Sequence, residues 1–149
     1  MAGFTIFDVL KEEQKKRFHH PKLWDRYVPR IEWEENEFYR NMRNDVWRKI
    51  TTDKFPASDV PDNATHTLYV LYANRYGQRI CPTSTQYQYH RPCGYIPRHM
   101  PLDDKGHSLK KDVYILTSLI YSMPPDRVAG EEELLYAGKY PYSSVLELD

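Results

Sequence analysis

The chain has 149 residues with 21 Lys and Arg against 21 Asp and Glu, and its 40% apolar fraction includes 13 Tyr, 3 Trp and 5 Phe. That length suits one ordinary domain with peripheral arms, and the balanced charge supplies no field for nucleic acid, so no nucleic-acid partner is expected. Rings are abundant, and aliphatic residues to pack between them are few.

In chain order, the spacing predicts a short amphipathic helix from Thr5 to Phe18, with Phe7, Leu10 and Phe18 on one side. The first twenty residues lack a basic stretch followed by an apolar one, so no secretory signal is expected there and the 2 Cys are read as reduced thiols. A second helix is predicted over 32–50, where Phe38, Met42, Val46 and Ile50 stand four apart and are joined by Trp47. Acidic residues crowd its start and basic residues its end, as the helix dipole favours. A polar loop with two prolines follows.

From Thr65 the period shortens to two. Leu68, Val70 and Tyr72 alternate with Tyr69 and Leu71 in "HTLYVLY", "ANRYG" supplies a turn, and "QRIC" returns, which predicts a β-hairpin. Residues 81–107 then read as an extended Pro/Tyr-rich strap, since "CPTSTQYQYHRPCGYIPRH" has neither helical nor strand period. Further on, Val113, Leu116, Ile120 and Met123 lie near helical spacing before Pro124 and Pro125, although β-branched content leaves a strand open over 113–123. The fold expected is α+β, with residues 1–62 as a helical N-terminal arm and 63–149 as a small hairpin and helix domain.

That helix running into "MPPDRV", followed by "ELLYAGKY" and then "SSVLELD", resembles the ubiquitin-type β-grasp. The resemblance implies the order strand, strand, helix, strand, strand over about residues 65 to 149. The chain has no terminal Gly-Gly, so conjugation is not implied and no functional residue is carried over.

Among chemical motifs, Cys81, His90, Cys93 and His99 carry ligand types that zinc accepts, in a C-x8-H-x2-C-x5-H spacing. Paired C-x2-C knuckles are missing, so the set is read as contact-segment residues rather than a metal site, and no cofactor is expected. A catalytic cysteine with His90 or His99 as its base lacks any local motif. "LDDKGHS" at 102–108 reads as a solvated turn around Gly106, and Glu131, Glu132 and Glu133 as solvated acids.

With catalysis unsupported, the aromatic excess and stiff proline segments point to contacts with other chains. The function expected is a non-catalytic structural subunit of a large multiprotein assembly, with Phe38, Trp47, Tyr87, Tyr89 and Tyr95 as interface anchors. A mitochondrial respiratory-chain or related complex is the favoured setting, and a filament-bound protein of ciliary microtubules is the alternative. The rival class is a small zinc module or enzyme centred on residues 81–99. No run is long and apolar enough for a membrane span, which leaves a place at the periphery of a membrane complex compatible.

Overall fold

The computed structural model describes residues 22–88 and 91–148. Its elements are β1 (Glu37–Arg43), α1 (Asn44–Thr51), β2 (Thr65–Asn74), β3 (Gly77–Ser84), β4 (Cys93–Ile96), β5 (Val113–Ile115), β6 (Tyr121–Ser122), β7 (Leu135–Lys139) and β8 (Leu146–Leu148). Short 3-10 turns stand at Arg30–Glu32, Glu131–Glu133 and Tyr142–Ser144. The strands run in the order β7-β1-β2-β3-β5-β4-β8, with β6 beside β3, and every pairing is antiparallel. The sheet curls into an open half-barrel. The expected α+β fold of N-terminal helices and a hairpin/helix domain is therefore wrong, because α1 is the one α-helix among the described residues. The helix predicted from Thr5 to Phe18 lies outside the described residues.

The predicted helix over 32–50 fails for a local reason. Phe38 and Tyr39 are both buried, on opposite faces of β1, as alternate side chains of a strand must be. Asn41 then takes a positive φ of 78° where the β1–β2 register shifts. This bulge returns Met42 to the face of Tyr39, so a row spaced like one helical stripe is really divided between two sides of a sheet. Only Asn44–Thr51 is helical. Asp45 takes the Val46 N–H at 3.0 Å at its start, and Thr52 closes its end in the left-handed region, donating its N–H to Arg48 O. Hairpin pairing does follow the alternation from Thr65: Leu68 faces Pro82 and Val70 faces Ile80 across β2 and β3.

Residues 113–123 form no helix. Ile115, Leu116, Leu119 and Met123 are buried while Ile120 is exposed, a spacing close to a helical stripe, so strand pairing and not burial decides the structure here. β5 and β6 instead pair side by side with β3, at Thr83↔Ile115 and at Ile80↔Tyr121. The β-grasp order is overturned with it. β7 pairs with β1, from the first third of the chain, and β8 pairs with β4, inside the supposed strap. Residues 81–107 thus contribute the end of β3 and all of β4 to the sheet. The β1–β2 pairing carries the same sheet across the junction of residues 62 and 63.

Both faces of the sheet are covered. Trp33, Tyr39, Trp47, Leu68, Val70, Ile80 and Leu116 belong to one apolar cluster, with Trp33 and Tyr39 stacked at 4.3 Å. Phe38, Tyr69, Cys81, Ile96, Ile115 and Tyr140 belong to the other. Three buried phenols donate to internal acceptors: Tyr39 Oη to Glu37 at 2.8 Å, Tyr69 Oη to Tyr140 O at 2.8 Å, and Tyr140 Oη to Ser144 O at 3.2 Å. At the outer edge of β7 the backbone is bonded to the preceding segment, Asp25 N to Tyr136 O at 2.9 Å and Tyr136 N to Arg26 O at 3.0 Å. On the other side the sheet ends in the three residues of β8 and, beside β3, the two residues of β6. No helix among the described residues is long and apolar enough to cross a membrane.

Candidate functional site

The two-residue turn Arg75–Tyr76 joins β2 to β3, and a hairpin tip of this kind is exposed by construction. Asn74 Oδ1 takes the Tyr76 N–H at 2.8 Å, which fixes the turn, and Asn74 Nδ2 donates to Tyr72 Oη at 3.3 Å. Arg75 lies over the Tyr76 ring, its guanidinium carbon 4.8 Å from the centroid, and donates to Tyr76 Oη at 2.5 Å. Tyr76 is 80% exposed and Tyr72 47%.

Beside the tip, β3 and β6 form the floor of a cleft, with Met123 N bonded to Gln78 O at 2.9 Å and Arg79 paired to Ser122. Its far wall is built by Arg30. That guanidinium donates to Pro124 O, to Asp126 O at 3.3 Å and to the Glu131 carboxylate, while Gln78 Nε2 donates to Arg30 O at 3.2 Å. Glu131 also accepts the Val128 N–H at 3.1 Å and is buried, which corrects its expected place in solvent. Lys, Arg or His side chains become costly to bury without such a partner, and the Arg30–Glu131 pair makes this wall rigid.

The cleft has a volume of about 770 Å3. Arg30, Arg75, Arg79 and Arg127 line it against Glu131 alone, with Tyr72, Tyr76 and the exposed Ile31 supplying apolar surface. Arg75 and Arg79 have no carboxylate partner among the described residues, and Arg127 reaches the equally exposed Glu132 at 3.5 Å. Glu131 is committed to Arg30. Three cationic forks beside two phenol rings can hold carboxylates bidentately and stack on planar or apolar groups between them. The lining includes Ser122 and Glu131 and neither His nor Cys.

The residues picked out from the sequence lie elsewhere. Phe38 and Trp47 are interior, in the two clusters on opposite faces of the sheet. Tyr87 is half-buried with its ring 5.5 Å from that of Tyr114, and Tyr95 stacks on Tyr114 at 5.1 Å. Tyr89 and His90 lie outside the described residues. Cys81 is buried on β3 in one cluster and Cys93 on β4 in the other, while His99 is exposed in a turn. Among the described residues no three His, Cys, Asp or Glu side chains converge as metal ligands.

Burial pushes the Cys81 thiol up to about 12 and raises that of Cys93, and a thiolate is the reactive form. Both cysteines are therefore expected to resist iodoacetamide in the native protein and to be alkylated fully in guanidinium chloride, as read by intact mass. Native labelling of Cys81 at the unfolded rate would remove it from the interior.

The arginines of the cleft escaped the sequence reading. "ANRYG" did mark Arg75 and Tyr76 as turn residues, which was the available signal. Nothing local ties Arg30 and Arg127 to them. Compared with protein-family models, with curated proteins and with solved structures, the chain matches none.

Proposed function

We propose that the protein is a non-catalytic subunit of a larger protein assembly, and that the cleft at the β2–β3 tip seats an acidic, extended segment of a neighbouring chain. The observation that carries this reading is the surplus of guanidinium groups over carboxylates around two exposed tyrosines on a rigid hairpin. Arginine and tyrosine are the side chains that most often dominate binding energy at protein interfaces. A charged rim also speeds encounter and rejects partners of the wrong sign.

The test uses a fluorescein-labelled peptide of alternating Glu and Tyr, followed by anisotropy, with a Lys and Tyr peptide as control. The acidic peptide is expected to bind and to weaken as salt rises, and Arg75→Glu/Arg79→Glu should lower its affinity by at least about tenfold with an unchanged melting curve. Those side chains are exposed, so the fold tolerates the change. Equal binding of the basic peptide, or an unaltered affinity in the double variant, removes the cleft from the interface.

A further inference from the structure

A separate cavity of about 640 Å3 lies on the other side of the sheet, outside the hairpin cleft. Its floor crosses five strands: Ala137 of β7, Phe38 and Arg40 of β1, Thr67 of β2, Thr83 of β3 and Val113 of β5. All project from the same face, as the period-two pattern requires. The roof is the loop 99–109, folded back on itself by His99 N to Leu109 O at 2.8 Å, Leu109 N to Met100 O at 3.1 Å and Leu102 N to His107 O at 2.9 Å.

This roof is held down. A side-chain carbon at Gly138 would stand 2.8 Å from Leu102 Cβ and 3.0 Å from Trp24, so only glycine lets the loop close this far onto β7. Trp24 in turn lies flat against His107, with ring centroids 4.1 Å apart and planes 3° from parallel. His107 is fixed by Asp103, which accepts from its Nδ1 at 2.5 Å. The cavity is therefore built into the fold, and its volume falls within the roughly 300–1,000 Å3 of small-molecule sites.

The charges sort by whether they are already neutralised. Arg40 is paired with Asp25, and His107 with Asp103. Lys110 and Lys111 line the cavity with no carboxylate partner among the described residues, and no Asp or Glu lines it. Trp24, Phe38, Leu102, Leu109, Val113 and Ala137 supply its apolar wall, and the uncharged hydroxyl residues Thr67, Thr83, Ser84, Thr85 and Ser108 also line it.

We propose that this cavity is a binding site for an amphipathic monoanion, a medium-chain aliphatic carboxylate. Its chain lies against Phe38, Val113 and Ala137, and its head group is held by Lys110 and Lys111. An apolar slot accepts the chain by removing it from water, and an unpaired pair of ammonium groups selects the carboxylate over an uncharged head. The site is independent of the hairpin cleft, which shares none of its lining residues.

Isothermal titration calorimetry of the full chain with decanoate, decanol and acetate tests this. Decanoate is expected to saturate a single site, acetate not to bind, and decanol to bind at least about tenfold more weakly than decanoate. Lys110→Glu/Lys111→Glu should weaken decanoate by at least about tenfold and leave decanol unchanged. Both lysines are exposed, so this variant keeps the fold, which circular dichroism verifies. Ala137→Leu, which fills the floor, should weaken both ligands. No saturation by decanoate, decanol binding as tight as decanoate, or a decanoate affinity unaltered by the double lysine change would each overturn the assignment.

Discussion

Replacing Lys22 by methionine is expected to lower folding stability by about 3–5 kcal/mol, because it strands a buried carboxylate. Glu37 is 1% exposed, and its two oxygens accept from Lys22 Nζ at 2.8 and 2.6 Å. Oε1 also takes the Glu34 N–H at 2.6 Å and the Tyr39 hydroxyl at 2.8 Å. The same ammonium donates to Glu32 O at 2.6 Å, so one lysine joins the segment before β1 to its first residue. Against a total stability of about 5–15 kcal/mol for a typical domain, the loss is large.

Its pH dependence identifies the cause. Burial already raises the Glu37 carboxyl above its ordinary value of 4.5, with Lys22 as the chief opposing influence. In Lys22→Met that opposition is gone and the folded-state value rises further. The folded variant then holds a proton that the unfolded chain has released, so stability is gained as pH falls through the folded value towards 4.5. Urea unfolding at about pH 8 and about pH 5 should therefore show a smaller deficit in acid. A deficit under about 1 kcal/mol, or one equal at both pH values, would mean that Lys22 acts like a surface charge.

Trp47→Ala is the second large effect, also about 3–5 kcal/mol, and here the cause is a cavity. Trp47 is fully buried, meets the Phe55 ring edge-on at 5.9 Å and donates its indole N–H to His66 O at 3.3 Å. With Asn44, Val46 and Thr51 it buries one side of a helix only eight residues long, too short to persist without packing. Trp47→Phe keeps a ring in place and should lose less. Far-ultraviolet circular dichroism with urea titration separates the outcomes, and an unaltered midpoint in Trp47→Ala would contradict the buried placement.

The hairpin was legible because Leu68 and Val70 oppose Tyr69 and Leu71 without interruption, and strand period depends on neighbours in sequence alone. β1 was not, because Asn41 inserts one residue and makes Phe38 and Met42 mimic a helical pair. β5 and β6 were hidden by their length: strands of three and two residues carry too few positions for any period to register. The tyrosine excess was ambiguous in a more general way. Tyr39, Tyr69, Tyr136 and Tyr140 are buried, as are Phe38 and Trp47 among the rings named as interface anchors. A phenol whose hydroxyl finds an internal acceptor is a core residue, and composition cannot say which phenols do. Within the cleft, Arg75 and Tyr76 were readable as turn residues, whereas Arg30 meets Pro124 and Glu131 only through the sheet's long-range order.

The borders of the sheet have a bearing on crowding. One margin is stitched to Asp25 and Arg26, and the other ends in strands of three and two residues, β8 and β6. Copies brought together have little free backbone with which to zip into ribbons, a hazard that long bare margins create. Such a chain can be packed densely, side by side on a scaffold, and still meet its neighbours through side chains alone.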